Sequence, residues 1–166
     1  MLTIINDLAV FFEDCYRRVH VREYARLHQL SPPTASKVLA QYHKEGLLHR
    51  EMDRNYLTYF AHKESALFKD FSRIYWSERL KELLQFLEKQ LISPTVILYG
   101  SLSKGETLPN SDIDLAIIAP KRDLILTAFE KKIKRTIQVL WCNSLSKVPS
   151  ELSNNIINGY ILRGRL

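Results

Sequence analysis

The sequence predicts an α+β protein with three consecutive segments, at 1–62, 63–92 and 93–166. In the first segment, apolar residues at helical spacing precede two short strand-like runs. In the second, apolar residues recur every three or four positions without interruption, as in an amphipathic helix. In the third, short apolar runs rich in β-branched residues alternate with turn formers, which is typical of a sheet.

The composition is that of an ordinary globular protein. Of the 166 residues, 46% are hydrophobic and 25% are charged, which provides enough apolar side chains for a core. The formal net charge of +6 favours polyanionic partners such as nucleic acid or nucleotides. By itself this charge bears on solubility and encounter, and it does not identify a partner.

The cysteines and the hydropathy pattern bear on the cellular environment. Cys15 and Cys142 form neither a metal-binding spacing nor a plausible disulfide framework, which favours a reducing cytoplasm. No apolar run approaches the ~18 residues at which a membrane span becomes the default prediction, and residues 1–12 lack a secretory signal. We therefore expect a cytoplasmic protein without a membrane partner.

The first segment begins with three predicted helices. Their ranges are 2–18, 20–28 and 32–44. Ser31 suits the N-cap of the third helix, Pro32 suits its first position, and Gly46 provides its C-terminal stop. Two strand-like runs follow, 47–51 and 56–60, around a turn at 52–55. This is the element order of a winged helix-turn-helix.

Residues 34–39 (TASKVL) and 44–48 (KEGLL) resemble the recognition helix and its exit into the wing in the winged-helix DNA-binding domains of microbial transcription regulators. The resemblance implies that this helix enters the major groove and that the wing contacts phosphates. The residues it assigns to DNA are Thr34, Ser36, Lys37 and Gln41 on the helix, Arg54 and Asn55 at the wing tip, and Arg50 at the wing base.

The local charge argues against DNA binding. Residues 1–62 carry eight Lys/Arg and seven Asp/Glu, whereas a DNA-binding domain normally shows a basic stripe. A winged helix used for dimerisation or protein contacts is the alternative.

The second segment, 63–92, predicts one long helix or two abutting helices. No Gly or Pro interrupts it, so it is not a loose linker. Tyr75 and Trp76 lie near its centre. We interpret these aromatic side chains as part of the core, and the alternative is a platform on which nucleic-acid bases stack. A dimer seam along this helix would give two winged helices the two-fold arrangement that a palindromic site needs, and we expect a homodimer.

The third segment contains the stretch 96–118, VILYGSLSKGETLPNSDIDLAII. Asp112 and Asp114 are two residues apart at the start of its second apolar run, so on a strand both carboxylates face the same side. A hard cation such as Mg²⁺ is usually held by one or two carboxylates together with substrate phosphates. The turn at Gly100 and Ser101 allows backbone N–H groups and a hydroxyl to approach a phosphate oxygen. The pattern therefore predicts a metal-triphosphate site.

The ordered series Gly100-Ser101, Lys104-Gly105-Glu106 and Ser111-Asp112-Ile113-Asp114-Leu115 resembles the signature of polymerase-beta-like nucleotidyltransferases of the minimal archaeal and bacterial type. The resemblance implies a small mixed sheet backed by helices, and transfer of a nucleoside monophosphate from an NTP to an acceptor. It assigns Mg²⁺ to Asp112 and Asp114, and the nucleotide to Gly100, Ser101, Lys104 and Ser111. The family pattern usually has Arg where this chain has Lys104, and the two cations differ in phosphate geometry.

The rest of the third segment predicts a helix that opens after 119–123 and runs to about 133, a strand at 136–141, and a short helix or turn at 156–162. A basic cluster ends the helix, with Lys131, Lys132, Lys134 and Arg135. We interpret it first as a solvated helix terminus and second as a triphosphate or nucleic-acid contact.

The family normally has a third carboxylate on the strand at 136–141, and its match in this chain is Gln138. An amide cannot accept a proton at neutral pH, so Gln138 cannot be a general base. Two functions therefore remain open. One is an active nucleotidyltransferase with a DNA-binding domain, and the other is a nucleotide-binding transcriptional regulator with little or no catalysis.

Overall fold

The structure is a computed structural model that describes residues 3–53 and 55–166. The chain divides into two compact units. Unit 1 comprises Met1–Ser72 and Gly105–Pro109, and unit 2 comprises Arg73–Lys104 and Asn110–Leu166. In the described ranges, no helix combines the length and the hydrophobicity that crossing a bilayer requires.

The helices that open unit 1 are α1 (Thr3–Asp7), α2 (Ala9–Glu13), α3 (Val21–Leu27) and α4 (Pro32–Lys44). The single helix predicted for 2–18 is therefore wrong, because two short helices separated at Leu8 replace it and the second ends at Glu13. Leu2 lies outside the described residues. Asp14 is extended and its Oδ1 accepts a hydrogen bond from the Tyr16 N–H at 3.0 Å. Such a local side-chain bond competes with helix continuation, which explains the early end.

The predicted boundaries of α4 are confirmed. Ser31 Oγ accepts a hydrogen bond from the Thr34 N–H at 3.3 Å, and Pro32 occupies the first turn. Gly46 follows the helix with φ +73°, a conformation that glycine adopts without steric cost. Ala35 and Leu39 are fully buried, so the opposite face of α4 remains available to solvent.

Unit 1 contains an antiparallel sheet in the order β1-β3-β2. Its strands are β1 (Val19–His20), β2 (Leu48–Asp53) and β3 (Tyr56–Ala61). The sequence pattern missed β1 because two residues are too few to show alternation. The strand β2 continues to Asp53, so the turn is shorter than predicted. Asn55 adopts φ +68°, and Arg54 lies outside the described residues.

The segment between the hairpin and the second sheet forms two abutting helices, α5 (Ala66–Arg79) and α6 (Lys81–Gln90). This is one of the two predicted alternatives. The boundary between the units falls within α5, after Ser72. In unit 2, Tyr75 and Trp76 are buried, so the core interpretation of these aromatic side chains is confirmed.

Unit 2 contains a mixed sheet in the order β6-β5-β4-β7, in which β5 and β6 are parallel and the other pairs antiparallel. Its elements are β4 (Thr95–Tyr99), α7 (Gly100–Lys104), β5 (Ile113–Ile118), α8 (Thr127–Ile133), β6 (Ile137–Cys142), α9 (Ser150–Ile157) and β7 (Tyr160–Arg163). One face of this sheet buries Ile97 and Ala116 against Ile156 of α9.

Three expectations for unit 2 differ from the structure. The helix predicted after 119–123 begins only at Thr127. The short helix α7 was predicted as a turn. The chain end predicted as a helix or turn forms the edge strand β7, which pairs with β4. This pairing requires Gly159, because a β-carbon there would lie 2.6 Å from the Leu98 carbonyl oxygen.

Candidate nucleotide site

The candidate site lies where β4 ends beside the start of β5. The antiparallel register pairs Tyr99 with Asp114, so Gly100, the next residue, begins α7 directly against the Asp114 carboxylate. Gly100 has φ +72°, and a β-carbon there would lie 2.2 Å from Asp114 Oδ2. Glycine is therefore required both by the backbone conformation and by the lack of space.

The two carboxylates lie at the start of β5, where Asp112 immediately precedes the strand and Asp114 is its second residue. Asp112 and Asp114 are half-buried, whereas Ile113 and Leu115 are fully buried, which is the alternation expected of a strand that enters the core. Burial raises the pKa of Asp114, and the negative charge of Asp112 raises it further. Two coupled carboxylates of this kind make a donor set of hard oxygen atoms that fits a divalent cation.

The remaining predicted nucleotide ligands differ in their surroundings. Ser101 is half-buried in α7, and Ser111 is half-buried immediately before Asp112. Lys104 is exposed at the end of α7, where its Nζ donates a hydrogen bond to Asn155 Oδ1 at 3.2 Å. The structure thus joins Lys104 to α9 through this polar contact.

Three residues that the sequence analysis did not assign to the site hold the two segments that form it, α7 and the chain that leads into β5. Ser103 Oγ donates to the Gly100 carbonyl at 2.9 Å, and Arg73 Nε donates to the Ser103 carbonyl at 3.1 Å. Arg135 Nη1 donates to the Ser111 carbonyl at 2.7 Å. The guanidinium of Arg135 also lies 5.1 Å from the centroid of the Trp76 ring, a cation–π contact.

The burial of Arg135 corrects the interpretation of the basic cluster as a solvated helix terminus for this one residue, whereas the three lysines agree with it. Arg135 is only 8% exposed, whereas Lys131, Lys132 and Lys134 are exposed. Lys132 forms an ion pair with Glu82 at 2.5 Å. The sequence offered no signal that separates Arg135 from its neighbours, because its partners lie far away along the chain.

The strand β6 brings Gln138 next to Asp114. The two residues are partners in the parallel register, so their side chains leave the same face of the sheet. Gln138 is exposed on this face. The position beside the paired carboxylates therefore carries a neutral amide.

A cavity of about 410 Å³ lies at the other end of the same strands. It is lined by residues that include Ala119, Cys142 and Leu152. Because Ala119 and Cys142 follow or end β5 and β6, this cavity is distinct from the carboxylate site at the start of those strands.

The residues predicted to contact DNA lie in unit 1. Thr34, Lys37 and Gln41 are exposed on α4, and Ser36 is half-buried. Thr34 Oγ1 shares a hydrogen bond with Ser31 Oγ, and Gln41 Nε2 donates to Glu45 Oε1. The wing residues Arg50 and Asn55 are exposed, and the predicted wing-tip residue Arg54 lies outside the described part of the chain.

Comparison with protein families finds that residues 78–159 match the family model of the nucleotidyltransferase domain. The matched range contains the whole candidate site, from Gly100 to Gln138, and supports a nucleotidyltransferase-type function for this part of the chain. The comparisons with curated proteins and with solved structures gave no match.

Proposed function

We propose that the nucleotidyltransferase domain binds an NTP together with Mg²⁺ and transfers a nucleoside monophosphate to an acceptor. The observation that carries this proposal is the contact between Gly100 and Asp114, beside the second half-buried carboxylate of Asp112. Because position 100 has no β-carbon, the backbone there lies directly against one of the paired carboxylates, so a phosphate that shares a metal ion with them comes close to backbone N–H groups. The family match over the same residues supports it.

The donor set fits Mg²⁺ and not a softer metal. Asp112 and Asp114 supply carboxylate oxygens, and Mg²⁺ is usually bound through one or two carboxylates with substrate phosphates completing its coordination. When bound, the ion neutralises charge on the triphosphate.

The residues of the chain position the nucleotide. The backbone at Gly100 and the Ser101 hydroxyl contact phosphate oxygens, and Lys104 offsets their charge. Arg135 holds the Ser111 carbonyl and thereby orients the loop that leads into Asp112. In the transfer step, an acceptor hydroxyl attacks the α-phosphorus of the NTP in line, pyrophosphate leaves, and the hydroxyl proton passes to water. Most of the rate comes from positioning and electrostatics.

The proposal is tested by calorimetric titration of each Mg²⁺-NTP into the wild-type protein and into the Asp112→Asn/Asp114→Asn variant. We expect binding of at least one NTP to the wild type and its loss in the variant. Incubation with an α-labelled NTP then shows whether label is transferred. Absence of NTP binding to the wild-type protein would overturn the proposal.

A second candidate function is a nucleotide-binding regulator with little or no catalysis. The observation that favours it is the register of Gln138 beside Asp114, because an amide cannot take a proton from an acceptor hydroxyl. NTP binding without label transfer would support this candidate.

We further propose that residues 1–62 form a winged helix that binds DNA. The proposal is supported by the order of α3 and α4 before the β2–β3 hairpin, and by the exposed face of α4. Fluorescence anisotropy with labelled duplex DNA at two salt concentrations tests it. Lys37→Ala should weaken binding severalfold. It should also reduce the slope of the logarithm of the binding constant against the logarithm of the salt concentration by about one, as expected for loss of one phosphate contact.

Lys89→Ala is the matched control, since Lys89 is exposed in unit 2 and outside the proposed DNA surface. If no duplex binds even at low salt, a role in dimerisation or protein contacts replaces DNA binding.

Sedimentation analysis of the same sample tests the proposed homodimer, which would pair two winged helices on a palindromic site.

A further inference from the structure

Two histidines and a glutamate meet at the base of the β2–β3 hairpin in unit 1. One ring nitrogen of His49, one ring nitrogen of His62 and a carboxylate oxygen of Glu64 lie within 4.8 Å of one another. His49 Nε2 is 4.0 Å from Glu64 Oε2, and the two imidazole centroids are 4.0 Å apart. All three residues are accessible to solvent to some degree.

The strand register explains why the imidazoles meet. His49 pairs with Phe60, and the His62 N–H continues the ladder by donating to the Leu47 carbonyl at 3.1 Å. Side chains two apart on a strand share a face, so His49 and His62 are diagonal neighbours on one side of the hairpin. Glu64 follows two residues after His62 and reaches the same side.

The hydrogen bond of His62 defines which of its nitrogens can bind a ligand. His62 Nδ1 lies 2.9 Å from the Gly46 carbonyl oxygen. A carbonyl can only accept, so Nδ1 carries the proton and Nε2 of the neutral ring keeps its lone pair. A histidine that donates its other N–H to a backbone carbonyl is the usual arrangement around protein-bound metal ions.

We propose that His49, His62 and Glu64 bind a transition-metal ion of the Zn²⁺ type, with a fourth position open to water or a further ligand. Two imidazoles and one carboxylate are a donor set that Zn²⁺ accepts, and it is distinct from the all-carboxylate set at Asp112 and Asp114. The bound ion ties β2 to the chain that leaves β3, across the base of the hairpin.

Metal binding requires the three ligand atoms to move slightly closer together. Bonds of about 2.0–2.1 Å in a tetrahedral site place ligand atoms roughly 3.4 Å apart, and since all three ligand atoms lie within 4.8 Å of one another, no pair has to close by more than about 1.4 Å. The Glu64 side chain is 66% exposed and can make this movement by rotamer change.

The test is titration of Zn²⁺ into the metal-free full-length protein, followed by calorimetry, together with the visible spectrum of the Co²⁺-substituted protein. We expect one equivalent bound and a tetrahedral Co²⁺ spectrum. His49→Gln and Glu64→Gln should each weaken binding by at least about tenfold, the lower end of what loss of a supporting residue costs a metal site. Both variants keep the hydrogen bond between His62 and Gly46, so the fold is preserved.

The controls separate this site from others that could take the ion. His28→Gln removes a histidine of the same unit that lies outside the cluster, and it should leave affinity and spectrum unchanged. Asp112→Asn/Asp114→Asn should also leave them unchanged. Absence of binding to the wild type, retention of the spectrum in His49→Gln and Glu64→Gln, or its loss in the aspartate variant would each overturn the proposal.

Discussion

Asp114 leaves no room for a side chain at Gly100, since a β-carbon there would lie 2.2 Å from its Oδ2 atom. Gly46 has nearly the same backbone conformation, φ +73° against φ +72°, but no atom within 4 Å of its hypothetical β-carbon. The two glycines therefore separate the cost of backbone strain from the cost of the clash.

We predict that Gly100→Ala lowers the free energy of unfolding by more than Gly46→Ala does. The positive φ alone costs about 1–3 kcal/mol for a residue with a side chain, and the clash with Asp114 adds to it. Denaturant unfolding of both variants measures the difference, and NTP titration should show lost binding only for Gly100→Ala. Equal destabilisation by the two substitutions would contradict the close packing at Asp114.

Gln138→Asp should increase transfer of label from an α-labelled NTP. The substitution places a carboxylate beside Asp114 in the parallel register, where it can assist deprotonation of an acceptor hydroxyl. General-base catalysis typically contributes about 10²–10⁴-fold, so even a partial gain is measurable. Gln138→Asn is the control and should stay at the wild-type rate. No gain in the aspartate variant would argue for the regulator.

Asp114→Asn should stabilise the metal-free protein at neutral pH. The raised pKa means that the folded state holds the proton more tightly than the unfolded state, so stability falls as pH rises from 3.8 through the raised pKa. Above the raised pKa, the folded state bears the full cost of holding Asp114 ionised. Below pH 3.8, Asp114 is protonated in both states and this cost is absent. We expect a gain of about 0.5–2 kcal/mol at pH 7, in the range of single stabilising changes at functional sites.

Thermal unfolding of the Asp114→Asn variant across pH measures this gain. The advantage over wild type should disappear below pH 3.8, where Asp114 is protonated in both states. Saturating Mg²⁺-NTP should reverse the order of stability at pH 7, because only the wild type binds it. Asp123→Asn, an exposed change in the same unit, is the control.

Arg135→Lys should destabilise unit 2 although the charge is retained. A lysine cannot reproduce the planar donor fork that reaches the Ser111 carbonyl while the guanidinium lies against Trp76. Loss of this hydrogen bond costs about 1.5–3 kcal/mol, as for bonds to charged groups. Lys132→Ala removes an exposed ion pair and should cost at most about 1 kcal/mol. Denaturant unfolding compares them, and similar costs would refute the structural role of Arg135.

The two cysteines should differ in reactivity. Burial raises the pKa of the Cys15 thiol to about 11, and the side chain is 2% exposed. Burial also raises the pKa of Cys142, but this side chain is only partly buried. At pH 8 we expect an alkylating reagent to modify Cys142 first, since attack requires both thiolate and access. Peptide mass spectrometry identifies the modified residue, and earlier labelling of Cys15 would contradict the packing of unit 1.

Local signals sufficed for much of the fold. The N-cap at Ser31, the proline after it and the glycine at 46 determine the bounds of α4 through short-range hydrogen bonds and backbone preferences. The sequence also places Asp112 and Asp114 at the start of a predicted strand, and the structure begins β5 at Ile113, between them. These features depend on residues within a few positions of one another.

Contacts between distant positions were decided only by the tertiary structure. The partners of Arg135 are Ser111 and Trp76, and the partner strand of β7 is β4, so no local pattern separates a buried arginine from exposed lysines or an edge strand from a turn. The cluster of His49, His62 and Glu64 likewise arises from strand register. The sequence by itself determined most of the elements and the spacing of the paired carboxylates, whereas the long-range packing that brings side chains together decided the short and edge elements and what surrounds the site.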